Sequence, residues 1–95
     1  MTPEERKANI ASQERHAANM GEREVGVWLV QEQVAQMRTE IARSRVILGM
    51  GENCEAVRTL DALDVRIEAV RAELIRRRDE ARDFAQRLRA EKGEA

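Results

Sequence analysis

Apolar residues recur along most of this chain at alternating steps of three and four. Val27, Val30, Val34, Met37, Ile41, Ser44 and Leu48 form one such series, with Ser44 its only polar member. Ala56, Leu60, Leu63, Ile67, Val70, Leu74, Arg77, Ala81, Phe84 and Leu88 form a second, interrupted only by Arg77. A mean step of three and a half is the heptad period of a helix that buries one stripe against a neighbour, so both segments are predicted to be long amphipathic helices. Between them, "GMGEN" (49–53) supplies two glycines to end the first helix and Asn53 to cap the next.

The chain before Val27 carries a weaker pattern. "TPEE" (2–5) is a helix start: Thr2 caps, Pro3 suits the first helical position, and Glu4 and Glu5 meet the positive end of the helix dipole. The face that follows is thin, with Ile10, Ala17 and Met20 separated by alanines. "NMGERE" (19–24) has capping-box spacing between Asn19 and Glu22, and Gly21 and Gly26 weaken helix here. The prediction is one all-α domain over 1–95: a short helix over about 3–18, a middle helix over 22–48, a turn at 49–53 and a long helix over 54–91.

Two heptad helices joined by a short turn fold back as an antiparallel hairpin resembling a coiled coil. The charges offer a register. If Val34 packs near Val70, Arg38 lies across from Asp64, Glu40 from Arg66 and Glu24 from Arg78, all complementary pairs. The expected hairpin seam is therefore Val27, Val30, Val34, Met37, Ile41 and Leu48 against Leu60, Leu63, Ile67, Val70, Leu74, Phe84 and Leu88.

One seam does not account for all the apolar residues. The middle helix has a further stripe in Val25, Trp28, Leu29, Ala35, Ala42 and Val46, and the last helix a weaker one in Val65, Ala69, Ala72 and Ile75. An alanine-rich first helix covers an indole poorly. A second copy of the chain covers it better, so the expectation is a homo-oligomer, most simply a homodimer forming a four-helix bundle, with the first of these stripes as oligomer or partner interface.

Composition narrows the class. Charged residues make up 37% and aromatic residues 2% of the 95, with a single proline, which is the composition of long helices and unlike that of a β-sandwich. A hydrophobic fraction of 42% with net charge −1 argues against disorder and against a general polycationic grip on nucleic acid. One cysteine forms no intrachain disulfide, and the charged amino terminus lacks an apolar leader, so a cytoplasmic protein is expected. The longest apolar run, "VGVWLV" (25–30), is too short for a bilayer, so no membrane partner is expected. Fifteen of the seventeen basic residues are arginine, as in a GC-rich genome.

Candidate chemistry is sparse. His16 is the sole histidine and Glu14, its nearest acid, lies around the helix from it; a lone His and a lone Cys do not make a zinc site. No E-x-x-H pair suggests a di-metal bundle, and "GMG" (49–51) has neither the strand nor the G-K-[ST] of a phosphate loop. Cys54 starts a helix, which favours the thiolate, but Glu52 and Glu55 oppose it. No cofactor, metal or catalytic residue is expected.

"LIRRRDEARDF" (74–84) sets three arginines in a row. Successive helix positions point about 100° apart, so Arg76, Arg77 and Arg78 do not form one patch. Arg77 falls in the seam, where it must reach solvent, pair with an acid such as Glu24, or hold an anion. Two functional readings follow. The first is a non-enzymatic interaction module, of the kind common among small bacterial and phage proteins, that self-associates and binds another protein as adaptor, small inhibitor or assembly chaperone. The alternative is an oligomer that binds a nucleotide or nucleic acid through arginines of the last helix, with Arg77, Arg78 and Arg82 as anion-binding candidates.

Overall fold

In the computed structural model, residues 1–49, 51 and 54–94 are described, with side chains as far as Glu91. The chain is all-helical: α1 (Pro3–Leu48) and α2 (Glu55–Glu94) pack against each other as a hairpin. Thr2 caps α1 as its sequence implies, its hydroxyl accepting the Glu5 amide at 3.1 Å. The helix stops where the glycines begin. Gly49 adopts the left-handed conformation, with φ of 68°, and its amide bonds back to the Val46 carbonyl. That is the backbone state in which a residue without a Cβ closes a helix at least cost. The expected cap at Asn53, and with it most of the 49–53 turn, lies outside the described residues.

The short first helix and its separate successor are not found: 46 residues from Pro3 to Leu48 form one helix, continuous through Gly21 and Gly26. A glycine inside a helix costs about 1 kcal/mol against alanine, too little to break a helix whose neighbouring turns pack on α2. Gly21 is half-buried, and the Arg78 Cδ lies 3.7 Å from where a Cβ would stand, so the position receives the stem of a long side chain.

The hairpin divides into two compact units. In the unit made by Met1–Glu24 and Ala72–Ala95, the buried residues described are Ala17, Ala81, Ala85 and Leu88, three of the four with a single methyl side chain. Ile10, Gln13 and Met20 are half-buried on α1, and Leu74, Ile75 and Arg78 on α2. In the unit Val25–Arg71, Val34 and Leu60 are buried, and Val27, Gln31, Arg38 and Ile41 are half-buried with Val57, Asp64, Ile67 and Arg71.

The packed stripe thus keeps one of the two expected positions in each heptad and exchanges the other for the next residue. Val27, Val34 and Ile41 pack, but Gln31 and Arg38 stand where Val30 and Met37 were expected. On α2, Leu60, Ile67, Leu74, Ala81 and Leu88 pack, with Asp64, Arg71, Arg78 and Ala85 in place of Leu63, Val70, Arg77 and Phe84. Leu48, at the helix end, is exposed. Long polar side chains tolerate such a seam because their methylene stems cover apolar surface while their heads reach water. Arg38 does this, and its guanidinium meets Asp61 at 2.6 Å. The expected partner, Asp64, lies one turn further along α2. Gln31 accepts from Arg71 at 3.4 Å and donates to Glu68. These pairs set the register about a turn from the expected one, bringing Val30 level with Val70 and Met37 level with Leu63.

Candidate functional site

Within Val25–Arg71, the rotated seam leaves the two flanks of the hairpin unlike. In an antiparallel helix pair, equivalent heptad positions of both helices fall on the same flank. Val30 and Met37 on α1 therefore share a flank with Leu63 and Val70 on α2. They are 47%, 53%, 42% and 53% exposed. Register groups them into two apolar layers, Val30 with Val70 and Met37 with Leu63.

On the opposite flank, α1 presents Trp28, Ala35 and Ala42, three members of the expected interface. Trp28 is 42% exposed, Ala35 exposed and Ala42 half-buried. The facing positions of α2 are Asp61 and Glu68, engaged by Arg38 and Gln31. This flank is apolar on one helix only. The remaining members, Val25, Leu29 and Val46, are exposed on the outer side of α1, away from both flanks. The heptad spacing of Val30, Met37, Leu63 and Val70 matches the hairpin seam, so nothing in the pattern alone sets them apart as an outer surface.

The arginines lie in the other unit. Arg77 is exposed and donates to Glu73 at 2.9 Å, within its own helix, where the sequence suggested Glu24. The rotation of the seam removes the burial problem that Arg77 posed. Arg76 binds Glu73 and Glu80, three and four residues away. Arg78 is half-buried and reaches Asp79 at 3.2 Å. Arg82 lines a groove with Glu14, Ala17 and Arg89, whereas Arg77 lines another with His16, Phe84 and Arg87. Arg77 and Arg82 thus line different grooves. In the second groove, the Arg87 guanidinium lies 5.8 Å from the centre of the Phe84 ring, a cation–π contact.

Hydrogen bonds from Arg76, and secondarily from Arg77, hold the Glu73 carboxyl down at about 2, and Glu73 in turn raises Arg76 above the ordinary arginine range. A depressed acid contributes stability that is present above its unfolded pKa of about 4.3 and is lost as pH falls through its folded value. The cluster is open to solvent, so its effect on folding is small. The expected outcome is that carbon-detected NMR finds Glu73 still ionised at pH 3 in the wild type and titrating at distinctly higher pH in Arg76→Ala, where only the Arg77 hydrogen bond remains to hold it down. A wild-type midpoint near 4 would refute the arrangement.

Cys54 is half-buried, and its carbonyl accepts the Arg58 amide as α2 begins. Among the described residues, no group of His, Cys, Asp and Glu is arranged to hold a metal ion, and no helix is long and apolar enough to cross a membrane. No family model matches the chain, and comparison with curated proteins and solved structures gives no match.

Proposed function

We propose that this protein is a non-enzymatic helical interaction module that self-associates into a helical bundle, most simply a homodimer, and binds another protein. One observation carries the reading: the chain exposes more surface than a compact globular protein of its size. Its accessible area is 7153 Å², whereas a compact monomer of 10.9 kDa exposes about 5,600 Å². The surplus of about 1,500 Å² exceeds the roughly 800 Å² that each partner covers in a standard interface. Val25, Trp28, Leu29, Val30, Met37, Val46, Leu63 and Val70 are among the large hydrophobic residues left exposed.

Self-association covers part of this surface, and the Trp28, Leu29 and Val46 side of α1 is left for a different protein, in an adaptor, inhibitor or chaperone role. A reducing, cytoplasmic setting fits the single thiol, and a bacterial or phage origin is part of the same proposal. Sedimentation equilibrium tests the first half directly. At micromolar concentration the expected mass is twice that of the chain, and a monomer mass throughout the accessible range would remove the proposal.

Anion binding is the second reading, favoured by the groove that His16, Arg77 and Arg87 line together with Phe84. Glu80 lines the same groove and Glu73 engages Arg77, which weakens its attraction for phosphate. The expected thermal shift with inorganic phosphate at low salt is therefore nil. A rise that Arg87→Ala abolishes would favour this reading instead.

A further inference from the structure

Resting on the self-association reading, we infer that a second copy of this chain docks on the flank formed by Val30, Met37, Leu63 and Val70, with its α2 over α1 and its α1 over α2. Over Val25–Arg71 this closes a four-helix core.

The heptad pattern points to this flank. Each helix carries apolar residues at two positions per heptad, and the hairpin uses only one of them. The unused series, Val30 and Met37 on α1 with Leu63 and Val70 on α2, is exposed on both helices at once. A helix in a four-helix bundle has two neighbours, and its two apolar positions face them both. A seam of Val27, Gln31, Val34, Arg38 and Ile41 against Leu60, Asp64, Ile67 and Arg71 is one side of such a bundle, with the other side still open.

Register makes the open side self-complementary. Val30 level with Val70 and Met37 level with Leu63 give two layers, each with one residue from each helix. A copy turned about a two-fold axis parallel to the helices sets the Val70 of one chain on the Val30 of the other, and likewise Leu63 on Met37. The same patch then serves both partners, as a closed dimer requires.

Charge disfavours the other orientation over Val25–Arg71. Gln33 and Glu40 border the patch on α1, Thr59 and Arg66 on α2. Laying α2 over α1 brings Arg66 beside Gln33, on the edge that also carries Glu40. Turning the copy end for end lays α2 over α2, and because Leu63 and Val70 straddle Arg66, the two Arg66 side chains then meet at the same level. Like charges so placed disfavour that arrangement. The opposite flank offers no comparable face, because Asp61 and Glu68 occupy its α2 side.

The test is sedimentation equilibrium on the full-length wild type, Met37→Glu, Val70→Glu and Trp28→Glu, with helicity followed by far-ultraviolet circular dichroism. Expected are a wild-type dimer, dimerisation weakened about 100-fold or more in Met37→Glu and Val70→Glu, and a dimer retained in Trp28→Glu. A monomeric wild type removes the self-association reading and this inference with it. A wild-type dimer that survives both glutamates leaves self-association standing and overturns this face.

Should either glutamate variant lose its helicity, cross-linking decides. In a Cys54→Ala background, chains carrying Val30→Cys and chains carrying Val70→Cys are mixed and oxidised with glutathione disulfide. A disulfide joining positions 30 and 70 of different chains is expected. If Val70→Cys instead couples efficiently to Leu63→Cys chains and not to Val30→Cys chains, the orientation proposed here is wrong.

Discussion

Leu60→Ala should destabilise the protein by about 2–3 kcal/mol, toward the lower end of the range for truncating a leucine in a core. Leu60 is the most buried residue of α2 within Val25–Arg71, and Val34 is its buried counterpart on α1. The lower end applies because a two-helix seam collapses around a missing side chain more readily than a closed core does. Stability of small domains totals only about 5–15 kcal/mol, so this single truncation removes a large part of it. Urea denaturation followed by helicity gives the measurement, with exposed Val65→Ala expected within about 0.5 kcal/mol of wild type. Were the two substitutions equal in effect, the seam through Leu60 would not be the core of this unit.

Leu63 sharpens the comparison. It lies one turn from Leu60 but on the flank, and is 42% exposed. In an isolated hairpin its truncation costs well under the Leu60 value. In the dimer inferred above it costs nearly as much at concentrations where the wild type is dimeric, and the loss shrinks as the sample is diluted toward monomer, because binding contributes to apparent stability by mass action. The same leucine is therefore minor or major depending on what covers it.

This ambiguity sets the limit of what the sequence discloses. Two helices, their antiparallel pairing and the stop at Gly49 are local matters: periodicity, a threonine cap and a glycine with positive φ write them into a few residues each. The choice between Val30 and Gln31, or between Val70 and Arg71, as the second seam position is not local. Apolarity marks Val30 and Val70 for burial without saying by which neighbour. In the hairpin, the neighbours that come first are the stems of Gln31, Arg38 and Arg71, held by Glu68, Asp61 and each other. Arg77 misled for the same reason, since it conflicts with a buried position only if the seam passes through it. The continuity of α1 through Gly21 was hidden differently, because a glycine within a helix and a glycine ending one look alike until the packing of Arg78 beside it is known.

Ala17, a member of the thin face before Val27, is buried in the structure together with two alanines of α2. Ala17 on α1 and Ala81 and Ala85 on α2 are nearly inaccessible, with Ala85 the most buried residue described. A seam of single methyl groups lets two helix backbones approach closely, so contact is made by the helices themselves rather than by long side chains. Ala85→Leu should therefore cost about 1–3 kcal/mol by overpacking, although leucine is as good a helix former as any residue but alanine. Exposed Ala90→Leu supplies the control and should be close to neutral. Ala85→Gly removes the methyl instead and should also destabilise, by about 1 kcal/mol from helix propensity plus the lost contact. A maximum of stability at alanine, falling on both sides in urea denaturation, is the signature of a close-packed seam. If leucine at position 85 stabilised the protein, the helices would stand further apart than Ala17, Ala81 and Ala85 imply, and the thin face would be a weak one after all.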